Sequence, residues 1–301
     1  MFRPRRVKNQ QLDERERAEK LAQTLPPLIL AAEHLITAFD MGVHGRRRAG
    51  TGEDFWQFKQ YNQDDPTTSI DWRQSAKREH VYIRQTEQET AETVWIWRDT
   101  SPTMDFKSDG AKQSKLARAT LLSLALALSL SKSAEKFGLI GQEEKAMTGA
   151  ASLNRFIARI TEGQAPPLFD LNLADGLSNK TTVVLISDFL TEPSAVANAI
   201  RHFVDRGYHG YLLHIADPVE VDLPFQGRTR FLNVAADDSL TFGRVEAVRE
   251  EYQSLFKAHQ REITNLADKV SWDYSFHRTD APESEAFAAL YAALNIQRAH
   301  A

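Results

Sequence analysis

Two carboxylates and several hydroxyls stand directly after apolar runs of the chain. Asp99 is followed at the second and fourth positions by Ser101 and Thr103, and Asp188 follows the apolar run 181–187. Oxygen donors without softer ligands suit a hard cation such as Mg²⁺ or Mn²⁺, which keeps open positions for water or an incoming oxygen. We therefore predict a metal site formed by Asp99, Ser101, Thr103 and Asp188. A structural role stays open, because such residues also cap helices and bond to their own backbone in turns.

The composition narrows the class of protein. The 301 residues are 42% hydrophobic and 26% charged, which is typical of a globular chain, and the net charge of -4 does not indicate a nucleic-acid partner. The absence of cysteine excludes disulfides, thiolate zinc sites, iron–sulfur clusters and cysteine nucleophiles. The longest uncharged apolar stretch, 119–131, is shorter than the roughly 20 residues needed to span a bilayer. We expect a buried helix there, no secretion signal and a cytoplasmic protein.

Short apolar runs alternate with helical segments from residue 92 onward, a pattern typical of βαβ units. It predicts an α/β fold with a doubly wound, mainly parallel sheet. The six predicted strands are 93–98, 137–142, 181–187, 211–215, 230–234 (shorter, as an edge strand) and 272–276. Ligands bind beyond the carboxyl ends of such strands, where Asp99 and Asp188 stand. Residues 1–90 differ in composition and are predicted to form an N-terminal helical and irregular module, followed by a domain over 91–298.

Aromatic and basic residues of the N-terminal module are candidates for partner binding. Trp56, Tyr61 and Trp72 lie in an aromatic-rich stretch, and Arg46 and Arg47 lie in a basic triplet. Aromatic and arginine side chains dominate binding hot spots, so these five are the predicted partner-binding residues. In the alternative interpretation, the aromatic side chains fasten the module to the sheet and the basic residues form a solvated turn.

Several motifs together resemble a known family. Asp99, Ser101 and Thr103 match the Asp-x-Ser-x-Ser/Thr motif of von Willebrand factor A domains, and Asp188 matches the later aspartate of their metal-ion-dependent adhesion site. The preceding stretch resembles the signature of the domain-of-unknown-function 58 family through Gly52, Asp54, Phe55, Tyr61, Asp65, Ile70-Asp71-Trp72, Ala76 and Glu87-Gln88-Glu89. The resemblance covers about residues 45–290, with the family signature in 45–90.

The resemblance implies a fold, a mechanism and a partner. Residues 91–298 are expected to form a von Willebrand factor A-like, Rossmann-type domain. Its cation would be completed by a carboxylate of a partner protein, which makes the chain a non-enzymatic protein-binding module. Members of the family are commonly encoded beside MoxR-type AAA+ ATPases and are suspected to act with them in bacterial chaperone or metal-insertion systems. A MoxR-type ATPase is therefore the expected partner, and peripheral membrane association is left open.

The sequence departs from this pattern at several positions. Adhesion sites carry a threonine between the two aspartate motifs, but Thr148 and Thr161 lack the expected context near Pro166. Arg98 precedes Asp99 where an apolar residue is normal. The departures support an alternative in which the chain is a structural assembly subunit with a degenerate site that binds metal weakly or not at all.

An enzymatic role is less favoured. Phosphohydrolases of the haloacid dehalogenase type also place an aspartate after their first strand, but they need a second one at the position of Ser101 as general acid. The sequence contains no G-x-S-x-G elbow, no G-x-x-x-x-G-K-[ST] loop and no H-E-x-x-H motif. We therefore expect a non-enzymatic protein.

Overall fold

A five-stranded parallel sheet organises the larger part of the chain. The computed structural model describes residues 26–39, 55–61, 72–75, 81–86, 93–142, 145–171, 181–232 and 239–300. The elements are α1 (26–39), β1 (Phe55–Gln60), α2 (Trp72–Ser75), β2 (Tyr82–Thr86), β3 (Thr93–Arg98), α3 (Lys115–Lys132), β4 (Lys136–Leu139), α4 (Ala150–Glu162), β5 (Thr181–Ser187), α5 (Pro193–Val204), β6 (His209–Ala216), α6 (Pro218–Asp222), β7 (Thr229–Leu232), β8 (Ser239–Phe242), α7 (Arg249–Asp268), β9 (Asp273–Arg278) and α8 (Glu283–His300).

The strand order of this sheet is β4-β3-β5-β6-β9, and every neighbouring pair is parallel. The chain leaves β3 toward one side of the sheet and later continues from β5 toward the other. The order reverses between β3 and β5, which is the switch point where doubly wound folds bind ligands. The predicted doubly wound, mainly parallel α/β fold is therefore confirmed.

Helices cover both faces of the sheet, so its central strands are buried on both sides. One face packs against α1, α3, α4 and α8, and the other packs against α5 and α7. This explains why β5 is a continuous apolar run of β-branched and leucine residues with every residue buried.

Helix α3 is buried on nearly every side. Its apolar residues recur all round the helix, which is typical of a core helix. The Ser114 side chain caps the helix by accepting a hydrogen bond from the Ala117 amide at 3.2 Å. Within the described ranges, no helix is long and apolar enough to cross a membrane.

The predicted sixth strand of the sheet, 230–234, was wrong. Residues Thr229–Leu232 form β7, which pairs antiparallel with β8 in a separate two-stranded hairpin. The strand alternates between half-buried and exposed residues, so it lacks the two-sided burial of a central strand. Only six residues of sequence separate β7 from β8, which is too few for the crossover that a parallel pair requires.

Chain contacts divide the molecule into two compact units. One unit contains the parallel sheet and α1, and the other is Met41–Ala91. In the second unit, β1 and β2 pair antiparallel and the Tyr61 amide donates to the Val81 carbonyl at 2.8 Å. The grouping differs from the predicted 1–90 module in one respect. Helix α1 packs its Ala32, Leu35 and Ile36 into the core beside the sheet.

Candidate functional site

Asp99 and Asp188 follow neighbouring strands at the same edge of the sheet. In the last paired residues of β3 and β5, Arg98 stands opposite Ile186, and the Asp99 amide donates to the Ile186 carbonyl at 2.8 Å. Asp99 therefore emerges beside Ser187, one residue before Asp188. This carboxyl edge lies at the switch point of the sheet.

Three of the four predicted metal ligands come together in the turn after β3. The Ser101 amide donates to Asp99 Oδ1 at 2.7 Å, and the hydroxyls of Ser101 and Thr103 lie 3.0 Å apart. Ser101 precedes the short helical turn Pro102–Asp105 and makes no side-chain cap there, so its hydroxyl faces Thr103. All three side chains are half-buried. We call Asp99, Ser101 and Thr103 the edge cluster.

Ser187 completes the hydrogen bonding of Asp99, a role that the sequence analysis missed. Its hydroxyl donates to Asp99 Oδ2 at 2.6 Å and accepts from the Phe189 amide at 2.9 Å. Ser187 is buried at the carboxyl end of β5, directly after four apolar residues. A serine placed between that apolar run and Asp188 was the available signal.

Asp188 directs its carboxylate to a lysine. Its Oδ2 lies 2.8 Å from Lys115 Nζ, and its Oδ1 accepts from the Leu190 amide at 3.1 Å. The next residue, Phe189, has a left-handed φ of 46°, which is costly for a bulky residue and is held by burial in the core. Both carboxylate oxygens of Asp188 thus have partners outside the edge cluster.

Lys115 stands at the start of α3 and its side chain has no solvent exposure. Its ammonium also bonds Glu220 in α6. Burial raises the pKa of Glu220, and the positive charge of Lys115 opposes that shift. The buried carboxylate of Asp188 and the half-buried carboxylate of Glu220 therefore share one ammonium. The sequence analysis missed both Lys115 and Glu220.

A capping box holds Glu220 in place. The Asp217 amide donates to Glu220 Oε2 at 2.8 Å, while Asp217 Oδ1 accepts from the Val219 amide at 3.0 Å. The second oxygen of Asp217 accepts from the Ser108 amide at 2.9 Å. The loop after β3 is thereby tied to the end of β6. The spacing Asp-Pro-x-Glu at 217–220 was the sequence signal for this cap.

The threonine expected in an adhesion site is not supplied by either candidate. Thr161 uses its hydroxyl inside α4, where it donates to the Ile157 carbonyl at 2.8 Å. Thr148 precedes α4 and its carbonyl accepts from the Ser152 hydroxyl at 3.0 Å. The loop after α4 instead meets Thr100, whose hydroxyl accepts from the Ala165 amide at 3.0 Å.

The predicted partner-binding residues belong to the second unit. Trp72 is 69% exposed on α2, and Tyr61 is half-buried after β1. Trp56 lies in β1, and its side chain is outside the described part of the chain, as are Arg46 and Arg47. Partner binding by these five residues stays a prediction.

The carboxylate groups at the carboxyl edge already have partners within the chain. Each oxygen of Asp99 and of Asp188 already accepts a hydrogen bond, and the charge of Asp188 is met by a lysine. Over the described residues, no group of three or more His, Asp or Glu side chains is arranged to hold a metal ion. Binding of Mg²⁺ or Mn²⁺ by Asp99, Ser101, Thr103 and Asp188 stays a prediction that this arrangement does not favour.

Exposed apolar side chains accompany the edge cluster. Leu190 follows Asp188 and is 46% exposed, and Phe225 follows α6 and is 37% exposed. The β7–β8 hairpin lies between α6 and α7, and α7 begins at the same edge, where the Tyr252 hydroxyl donates to the Glu220 carbonyl at 2.7 Å. Leu240 of this hairpin is 59% exposed. The edge therefore combines polar groups with accessible apolar surface.

An aromatic cluster stiffens the hairpin. Phe231 meets Phe225 at a ring distance of 5.5 Å and Phe242 at 6.0 Å, both edge to face. Phe231 pairs directly with Leu240 across the hairpin, so these side chains share one face. The hairpin therefore carries an apolar face of its own, to which the exposed Leu240 belongs.

A parallel doubly wound sheet with a carboxylate–hydroxyl cluster at its switch point defines the class of protein. The family model described as "Protein of unknown function DUF58" matches residues 57–262. The chain belongs to this family. The resemblance to it that the sequence analysis proposed is confirmed.

The chain is also similar to individual relatives and to solved structures. The chain is 24% identical over 262 residues to "Uncharacterized protein Mb1516" of Mycobacterium bovis and to "Uncharacterized protein Rv1480" of Mycobacterium tuberculosis, over 81% of this chain and 80% of each relative. It is similar to an aerotolerance-related membrane protein from Bacteroides fragilis (15% identity, 68% of this chain, 99% of that chain, TM-score 0.38). It is also similar to the conserved hypothetical protein BatB from Bacteroides thetaiotaomicron (14% identity, 68% of this chain, 100% of that chain, TM-score 0.39).

Proposed function

We propose that this chain is a non-enzymatic protein-binding module that works with a MoxR-type AAA+ ATPase in a cytoplasmic chaperone or assembly system. The observation that carries the proposal is the composition of the carboxyl edge. Half-exposed hydroxyls of Ser101 and Thr103 stand at the same edge as the exposed side chains of Leu190, Phe225 and Leu240. Apolar anchors beside polar groups are the composition of a protein-binding surface.

The edge favours docking through direct hydrogen bonds and apolar contacts. The hydroxyls of Ser101 and Thr103 can donate to or accept from a partner, while Leu190 and Leu240 offer apolar area. Metal-dependent docking of a partner carboxylate, which the family resemblance implies, stays a prediction. The donor set supports the metal-free form, because Asp188 is already paired with Lys115.

The chemistry of the edge supports a non-enzymatic role. Ser187 is buried and its hydroxyl proton is directed to Asp99, so it is not presented to a substrate as a nucleophile. Burial lowers the pKa of His214 to about 3, which leaves this nearby histidine neutral and too weakly basic for general base catalysis near pH 7. Ser101 stands where a phosphohydrolase would need its second aspartate.

The choice of partner rests on the family. Proteins of this family are suspected to act with MoxR-type AAA+ ATPases, and nucleotide hydrolysis would belong to that partner because this sequence carries no phosphate-binding loop motif. In the proposal, the chain contributes recognition and the ATPase contributes mechanical work.

Binding of the purified full-length chain to the MoxR-type ATPase of the same organism tests the proposal. We expect Leu190→Asp and Leu240→Asp each to weaken binding about tenfold or more, since a charge in an apolar contact must be desolvated. Leu255→Asp is the matched control, because Leu255 is similarly exposed but lies on the outer surface of α7.

The control should bind as the wild type does in interferometry or calorimetry. Equal affinity of the wild type, Leu190→Asp and Leu240→Asp for the ATPase would show that the edge is not the docking surface. Failure of the wild type to bind the ATPase at all would remove the proposed partner.

A further inference from the structure

We infer that the Lys115 ammonium is the resident cation of the carboxyl edge, in the place of a divalent metal ion. The inference deepens the proposed function, because it makes docking at this edge independent of metal. It also stands apart from the partner, since it concerns the isolated chain.

The position of the Lys115 ammonium supports this inference. Lys115 Nζ is fully buried, 2.8 Å from Asp188 Oδ2 and in contact with Glu220. Lysine is almost never fully buried unless its charge is paired. Here the charge sits against the aspartate that the family motif would give to a metal. The ammonium and a divalent ion would therefore compete for the same carboxylate.

Both carboxylates that contact Lys115 also accept a hydrogen bond from a backbone amide. Asp188 gives one oxygen to the Leu190 amide and the other to Lys115. Glu220 gives one oxygen to the Asp217 amide and the other to Lys115. Each carboxylate is thus held by one backbone amide and one ammonium. An incoming cation would have to share these oxygens with the amides and the ammonium, and it would be repelled by the positive charge of Lys115.

The Lys115 ammonium also connects three elements of the fold. Asp188 follows β5, Glu220 lies in α6, and Lys115 begins α3. One buried charge therefore ties together three elements that border the edge. A bound ion would fix these elements only when metal is present, whereas the lysine fixes them whenever the chain is folded.

Thermal unfolding of the chain in chelator, in Mg²⁺ and in Mn²⁺ tests the inference. We expect the melting temperature of the wild type to be the same in all three. Lys115→Ala removes the ammonium and leaves the carboxylates of Asp188 and Glu220 without their cation, so we expect Mn²⁺ to raise its melting temperature by about 5 °C relative to chelator. The matched control is Lys112→Ala, since Lys112 is exposed just before the same helix. It should behave as the wild type does.

Two results would overturn the inference. One is a saturable stabilisation of the wild type by Mg²⁺ or Mn²⁺ that Asp188→Asn abolishes, because it would show a divalent ion on that carboxylate. The other is a Lys115→Ala variant that folds and shows no metal response, because the ammonium would then not be what excludes the ion. If Lys115→Ala does not fold, the wild-type titration still decides. No partner is present, so failure of the proposed docking leaves this test unaffected.

Discussion

At the scale of single residues, Arg118 is a second buried basic residue beside Lys115, and its side chain contacts a histidine. Arg118 Nη1 lies 2.8 Å from His277 Nε2, and Arg118 also donates to the carbonyls of Thr279 and Ala281. An arginine is always charged, so His277 Nε2 must accept this bond as a neutral ring nitrogen. Burial, and then the charge of Arg118, lower the pKa of His277 to about 4.

This pair makes stability depend on pH. The ordinary histidine pKa is 6.5 and the folded value is about 4, so between these values the unfolded chain binds a proton that the folded chain does not. The stabilisation is therefore complete above pH 6.5 and is lost as the pH falls toward 4. We expect His277 alone to remove about 3 kcal/mol over that window.

Urea unfolding at several pH values measures this effect. His277→Gln keeps an acceptor for Arg118 but does not titrate, so its unfolding free energy should fall less on acidification than that of the wild type. The exposed His209, replaced by Gln, is the control and should keep the wild-type slope. Equal slopes for the wild type and His277→Gln would contradict the assignment of the neutral ring.

The residues of the site show what a sequence can and cannot predict. Asp99, Ser101 and Thr103 are close in sequence, so the turn that gathers them could be predicted from their spacing. The contact of Lys115 with Asp188 joins residues far apart in the chain and depends on how α3 docks. A lysine in the first turn of a helix is also electrostatically unfavourable, so sequence reasoning favours a solvated side chain there.

At the scale of elements, the residue that caps α6 also connects this helix to the loop after β3. Asp217 is fully buried and its two oxygens accept from the amides of Val219 and Ser108. It therefore caps a helix and holds the loop after β3 at once. The Ser114 cap of α3 satisfies one amide only and is half-buried.

Removal of the two capping side chains should lower the unfolding free energy by different amounts. We expect Asp217→Ala to lower the unfolding free energy by about 2 kcal/mol or more and Ser114→Ala by about 1 kcal/mol. Chemical denaturation of both variants beside the wild type measures the difference. An Asp217→Ala variant no less stable than Ser114→Ala would show that the bond to Ser108 contributes nothing.

The strands show the same division between local and long-range information. The central strands of the parallel sheet could be predicted from the sequence, because burial on both faces requires a run of β-branched and leucine residues, most clearly in β5. The segment after α6 carries a shorter, alternating run and pairs locally with β8 instead. The sequence indicates that this segment forms a strand, but it does not indicate which strand pairs with it.

At the scale of the whole molecule, the family match covers residues of both compact units. The match over 57–262 begins in the second unit and ends in α7 of the first. The edge cluster and part of the segment that carries the family signature therefore lie within the family match. The proposal assigns docking to the edge cluster and its apolar neighbours, and it leaves the exposed Trp72 as a second candidate contact.

The most direct test of the account is an amide hydrogen-exchange footprint of the full-length chain with and without the MoxR-type ATPase. We expect binding to slow exchange in the turn 100–106, in the residues after β5 and in the β7–β8 hairpin. The amide footprint should be the same in chelator and in Mg²⁺. Protection confined to other parts of the chain, with exchange at the carboxyl edge unchanged, would contradict the account.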